Sequence, residues 1–440
     1  MICRKLTLIA VVAGVFFSTN NASAQELLNS KSPQVQSAEE RQEKLTPDWL
    51  KGQGAQFDEL DRVSSLYVAR VDDAFMAKLS ELPGLRNLNL SVVNQVTLDG
   101  LRELQRCKSL EKLTISGRGR PEQPDAHWTA DEALEVIGKL EMLTELVADN
   151  CGITDTGLSH LESLTRLRVL SLRQNAISNA GMKSIAQLTH LKSLDLGCHI
   201  RSPVYGKNNI TNDGVKQLAA LQELEFLGLE GNDVSMLPIN SSKLQGLSLG
   251  SAFNRGVVTD ETLKHLERYS GLKSLTITSS RVTDEGMSSI AKLTELVGLQ
   301  LECSGGITEA GLEKLVGLPL THLTLRGPEL SDRGVAHLAR LKSLQYLMIF
   351  GGTGQTSVEA YKQLRDLQQL KQLSFFGFSG QGSRTGFSTL KQLRTLSFDG
   401  FSAFDGWTQA DLDTLGEEMP ETRITVFGSG PTPYMPRNQR

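Results

Sequence analysis

Apolar residues recur along this chain in a compound rhythm, a period of two followed by a period of three to four. From Leu143 the sequence reads LTELVADNCGITDTGLSHLESLTR and then LRVLSLRQNAISNAGMKSIAQLTH, two units of 24 residues. The frame returns from Leu272, Leu296 and Leu320, and interrupted copies start at Val63, Leu85, Leu110, Leu191, Leu224, Leu244, Leu344, Leu370 and Leu393, which makes 14 units. In each LxxLxL the apolar residues alternate, so the segment predicts a short strand with one face in the core and the other in solvent. The following GLxxLxxL spacing predicts a helix with a single apolar face. Thr154, Ser178, Thr211, Thr259, Thr283, Thr308 and Ser331 share the position before that helix and read as N-caps. Behind them stand Asp155, Asn179, Asn212, Asp260, Asp284, Glu309 and Asp332, mostly acids where the helix dipole favours them. One strand and one helix cannot bury their apolar sides alone, but stacked neighbours can. The expected fold is an α/β solenoid, with a concave parallel sheet and helices on the convex side.

The repeated LxxLxL with its helix at fixed offset resembles the leucine-rich-repeat family, in particular its ribonuclease-inhibitor-like and cysteine-containing branches. The resemblance spans Val63 to about Phe427 and implies a horseshoe that works by binding. It does not imply a ligand. Cys151 sits where such repeats often carry Asn or Cys, a side chain that satisfies the backbone of the neighbouring loop.

The ends of the chain read differently. Arg4 and Lys5 precede an apolar stretch from Leu6 to Phe17, and Ala22-Ser23-Ala24 offers a small-residue cleavage site. That predicts a signal peptide over 1–24, an exported mature chain (secreted, periplasmic or held in the cell envelope) and no membrane span once the signal is removed. Residues 25–45 are polar and read as a disordered linker. Residues 46–62 read as an N-terminal cap with a short helix and a hairpin, 63–409 as the solenoid, 410–427 as a C-terminal cap and 428–440 as a loose tail.

Departures from the 24-residue frame carry functional information. Insertions at 117–128, 199–208 and around 252–257 all fall between a strand and its helix, so they project along one rim. The unit at Leu224 is short, and Pro238 in DVSMLPINSSK leaves no room for a full helix. The last units are rich in Gly, Ser and Phe.

Reading the third, fifth and seventh positions of each unit gives the concave surface. Early and middle units supply a mixed polar strip that includes Arg173, Asp195, Glu230, Gln300, Glu302 and Arg326. Late units supply Tyr346, Met348, Phe350 and Phe376, with Phe378 just beyond. Those rings are either an exposed contact patch or are drawn into an irregular core. The candidate partner-binding residues are Arg173, Asp195, Tyr205, Glu230, Arg326, Tyr346, Phe350 and Phe376.

Charge and motifs then narrow the function. Lys and Arg number 46 against 50 Asp and Glu, for a net charge of −4, with no basic stripe to suit a nucleic acid. Cys107, Cys151, Cys198 and Cys303 fall in the second, fourth, sixth and tenth units, none adjacent. Two strand steps span roughly 10 Å, whereas a disulfide holds its Cα atoms within about 7 Å, so these read as buried thiols. His160, His265 and His337 share a column in non-adjacent repeats and cannot converge on a metal. The recurrent Asp residues read as part of the helix caps rather than as a carboxylate array. Sequons stand at Asn89, Asn209 and Asn240. No metal, cofactor or catalytic motif is predicted. The expected function is a non-catalytic scaffold that binds a protein, a peptide or an envelope polymer on its concave face and rim. A self-associating envelope protein is the alternative and an enzyme the least favoured class.

Overall fold

The computed structural model describes residues 55–436, apart from 58–62, 69–70, 80, 83, 91–95, 117–128, 199–206, 251–257, 304–305, 328–329, 351–355, 377–383, 400–407 and 427–434. The signal segment, the linker, most of the N-terminal cap, Tyr205, Phe378 and the tail beyond 436 lie outside the described residues, as do nearly all of the three insertions.

Among the described residues sixteen strands form one open sheet whose order follows the sequence. They are β1 (Gln56–Phe57), β2 (Val63–Val68), β3 (Asn87–Leu90), β4 (Lys112–Ser116), β5 (Glu145–Asp149), β6 (Val169–Ser171), β7 (Ser193–Asp195) and β8 (Phe226–Gly228). Then come β9 (Gly246–Gly250), β10 (Ser274–Ser280), β11 (Gly298–Cys303), β12 (His322–Arg326), β13 (Tyr346–Phe350), β14 (Gln372–Phe376), β15 (Thr395–Asp399) and β16 (Arg423–Val426). β1 pairs antiparallel with β2, and every later pairing is parallel. Like positions lie side by side, as Leu323, Leu347 and Leu373 do across β12, β13 and β14. The fold is therefore an α/β leucine-rich-repeat horseshoe.

The apolar positions of LxxLxL build the core. Leu143, Leu146 and Ala148 are fully buried, as are Leu320 and Leu344 at the same first position of later units. Each such leucine contributes about 1.5–3 kcal/mol on burial, and the helices close the other side through residues such as Leu158, Met287 and Val335. Between β8 and β9 the convex segment runs without a helix. There the Tyr269 hydroxyl, reaching back from the next unit, donates to the carbonyls of Leu237 (2.6 Å) and Ile239 (3.0 Å).

Two polar ladders join the repeats. The first is buried. Asn175 accepts the N–H groups of Cys151 (3.0 Å) and Ile153 (3.1 Å) on Oδ1, while its Nδ2 donates to the Ala148 carbonyl one strand back (2.9 Å). Asn208 and Asn232 repeat this on Leu172 and Leu196. Cys151 takes the same place one unit earlier, its Sγ donating to the Ile115 carbonyl at 3.7 Å. The chain enters this ladder through left-handed residues, Asn150 (φ 56°) and Gln174 (φ 52°).

The second ladder runs along the helix starts. Thr154, Thr211, Thr283, Thr308 and Ser331 do cap their helices. Ser178 differs: its Oγ accepts Ala180 N at 3.2 Å, and the helix begins only at Met182. The acids behind the caps do more than favour the dipole, because each grips the next repeat. Asp131 accepts Thr154 N (2.9 Å) and Thr154 Oγ1 (2.5 Å). Asp284 does the same for Thr308 at 2.8 and 2.6 Å. Asp155 with Ser178, Asp260 with Thr283 and Asp332 with Ser357 follow suit. The glycine two residues beyond the acid position makes room for this. A Cβ on Gly157 would lie 2.3 Å from Asp131 Oδ1, and one on Gly311 would lie 2.2 Å from Asp284 Oδ1.

Candidate functional site

The outward rows of the sheet place the candidate residues on one face, in two groups. The first centres on Arg173, two residues past β6. Its guanidinium donates to Asp195 Oδ2 at 2.8 Å, with both side chains largely buried. Asp149 joins from β5, where Oδ1 accepts Ser171 Oγ (2.7 Å) and Arg173 N (2.9 Å). Burial raises the Asp149 carboxyl above its usual range against the lowering effect of those hydrogen bonds. Asp195 also accepts Gly197 N at 2.9 Å, and a Cβ on Gly228 would lie 2.4 Å from its Oδ1. Asp195 was expected to face solvent; instead it is buried, because Arg173 covers it and a bare glycine lets it settle onto β8. Glu230 stands in the same row as Arg173. Burial pushes its carboxyl up to about 7; Arg173 opposes that, and the negative charges of Glu302 and Asp195 add to it.

The second group spans β12 to β14. His322 and Tyr346 stack with centroids 4.3 Å apart and ring planes 13° from parallel. In the parallel row Arg326 lies over the Phe350 ring at 4.1 Å, and Phe350 stacks on Phe376 at 4.3 Å and 12°. Glu302 completes the row, 3.7 Å from Arg326. Strands lie about 4.8 Å apart, so rings stacked at this distance stand on edge with their faces turned along the sheet. All three aromatic candidates, Tyr346, Phe350 and Phe376, are half-buried and belong to the outward rows. Of the two readings left open by the sequence, these rings take the concave one. A separate set, Tyr361, Phe375, Phe387 and Phe398, packs in the core, with Phe375 and Phe398 stacked at 5.2 Å. Residue parity along β14 separates Phe375 from Phe376.

The four repeat cysteines are buried thiols that form no disulfide with one another. Burial, with a smaller push from Glu103, raises the Cys107 thiol to about 11, which keeps it protonated and unreactive at neutral pH. Among the described residues no three metal-ligating side chains converge, and no helix is long and apolar enough to cross a membrane.

Comparison with known proteins bears on the repeats themselves. The profile described as "Leucine Rich repeat" matches residues 163–186 and 272–291. An alignment of 271 residues with the bovine (Bos taurus) NACHT, LRR and PYD domains-containing protein 5 is 23% identical, taking in 55% of this chain and 23% of that protein. The chain therefore spans under a quarter of the length of that curated relative. Among solved structures it is similar to an internalin of Listeria monocytogenes (19% identity, 76% of this chain and 86% of that one, TM-score 0.42). It is also similar to a leucine-rich-repeat protein of Leptospira interrogans (19% identity, 82% and 89%, TM-score 0.46). The repeat frame and the sheet give a leucine-rich-repeat solenoid fold, and the profile matches two stretches of it.

Proposed function

We propose that this chain is an exported, non-catalytic scaffold that binds a protein partner on its concave face, anchored by Tyr346, Phe350 and Phe376. The observation that carries the reading is the on-edge row of rings ending in Arg326. Aromatic and arginine side chains dominate the energetics of protein contacts, and here they are already ordered by stacking, so little side-chain entropy remains to be lost on binding. Arg326 and Phe376 occupy the two faces of Phe350, so that ring offers its edge to side chains and carbonyl oxygens. The signal-like segment at 1–24 supports export.

Tyr346→Ala, Phe350→Ala and Phe376→Ala together should abolish capture of the partner from envelope and secreted fractions while the melting temperature stays within about 3 °C. A partner retained by the triple variant would overturn the reading. So would a melting temperature lowered by many degrees, since the rings would then be structural. Capture of the chain alone, with mass rising with concentration in light scattering, would replace it with self-association.

A further inference from the structure

The convex surface carries a feature of its own, set by two neighbouring repeats late in the solenoid. The helix Asp332–Leu338 packs beside the helix Val358–Tyr361 and its 3-10 continuation Lys362–Asp366. Ser331 and Ser357 cap them at the same repeat position, so Ala336 and Ala339 correspond to Lys362 and Arg365, 26 residues later. Two methyl groups on one helix thus stand where the next carries two long basic chains. A groove of about 430 Å³ opens there, within the range of about 300–1,000 Å³ of ordinary small-molecule sites.

Lys362 and Arg365, three residues apart, share one helix face, and Arg340 and Lys342 line the groove from the turn after the first helix. With Glu359 and Asp366 the lining holds four bases to two acids, in a chain whose net charge is −4. The repeat frame does not demand this: Thr165, Thr189 and Thr294 stand at the Lys342 position in other units. The bases are also loosely held. Lys342 Nζ donates to the Ala339 carbonyl at 3.0 Å and has no carboxylate partner among the described residues. Lys362 reaches Glu359 at 2.6 Å, Arg340 reaches Glu313 at 3.4 Å, and Arg365 Nε lies 3.9 Å from Asp366. All three carboxylates are exposed, and exposed pairs contribute little, so their cations can turn to a stronger anion. A phosphate ester carries about −1.5 to −2 charge and three acceptor oxygens, which suit the guanidinium fork. A bare phosphate would leave Glu359, Asp366 and the Gln363 amide without new partners, whereas sugar hydroxyls can donate to the carboxylates and accept from the amide.

We infer that this convex groove binds a phosphorylated sugar, with Arg340, Lys342, Lys362 and Arg365 holding the phosphate and Glu359, Asp366 and Gln363 taking the hydroxyls. The ester belongs either to a free sugar or to a phosphorylated residue of an envelope polymer, and the chemistry at the groove is the same. The site lies on the helix side, away from Tyr346, Phe350 and Phe376, and does not depend on their partner.

Equilibrium dialysis of the full chain tests it with two probes, glucose 6-phosphate and maltotetraose phosphorylated at one 6-hydroxyl. The tighter probe should bind at least about tenfold better than inorganic phosphate or unphosphorylated glucose, and its affinity should fall as salt rises. Lys362→Gln with Arg365→Gln should weaken it about tenfold. Arg166→Gln with Lys183→Gln removes the same charge from exposed positions on other repeats and should change it less than about twofold. Ala336→Gln, which fills the floor without changing charge, should also weaken it while the melting temperature stays within about 3 °C. Preference for glucose 6-phosphate would assign the free sugar and preference for the oligosaccharide the polymer; either supports the site. Binding of neither probe, no advantage over inorganic phosphate, or equal losses in the two double variants would overturn the proposal. The Tyr346, Phe350 and Phe376 triple variant should bind both probes normally, so the convex and concave readings fail separately.

Discussion

The repeats from Leu143 to Asp233 and those from Leu344 to Val426 share one frame but are joined by different chemistry. In the first region neighbours are tied by Asn175, Asn208 and Asn232 inside and by Asp131, Asp155 and Asn179 outside. In the second, Tyr361, Phe375, Phe387 and Phe398 fill the core and Phe350 and Phe376 stack outside it. Hydrogen-bond ladders are directional and fix register. Rings tolerate drift, which fits the late units, 26 residues from Leu344 to Leu370 and 23 from Leu370 to Leu393. The difference shows that a solenoid needs only a repeated apolar shape; what locks each joint can change along its length.

Three substitutions and one control sharpen that contrast. The largest loss belongs to the aromatic region: Phe375→Ala should cost about 3–5 kcal/mol, seen as a lower urea midpoint. Asn175→Ala comes next, at about 2–4 kcal/mol, because it strands two buried N–H groups and a carbonyl. If Asn175→Ala proved the costlier, the polar ladder rather than ring burial would set local stability. Smaller again is Gly157→Ala, at about 1–3 kcal/mol, since its methyl group must push Asp131 off Thr154. Gly334→Ala is the paired control. The longer Glu309 reaches Ser331 Oγ without crowding Gly334, whose nearest contact would be Leu330 at 3.1 Å, so the melting temperature should barely move. Equal losses at Gly157 and Gly334 would mean that helix propensity, not the carboxylate grip, governs both.

The strand–helix frame was legible because apolar periodicity is local and recurs in step. The caps were legible for the same reason, with Ser178 displaced because its helix starts late. The far end of each Asp was not: a local role at the helix dipole already accounted for Asp155 or Asp284, and nothing in a single unit points to the Thr or Ser that follows it by 23 or 24 residues. Asn208 was hidden by the insertion that separates it from its strand. Asp195 was misjudged because alternation gives the direction of a side chain, not whether an arginine lies across it. The late aromatics could have been sorted by carrying the register of β12 through β14, where adjacent phenylalanines must part to opposite faces. Tyr205 lies outside the described residues, so its place in the rim remains an expectation from the sequence.

The helix-side ladder also has a gap. After Asn212 holds Ser235, the next position in line is Met236, which has no oxygen to offer, and Thr259 N turns to its own Thr262 instead. Along the solenoid axis the joints act as springs in series, and this one is soft on its convex side while the sheet stays continuous from β8 to β9. Thr129 N and Thr408 N likewise turn to Glu132 and Asp411 of their own helices, so bending load will fall on several such joints, where the convex side can open or close while the sheet stays whole.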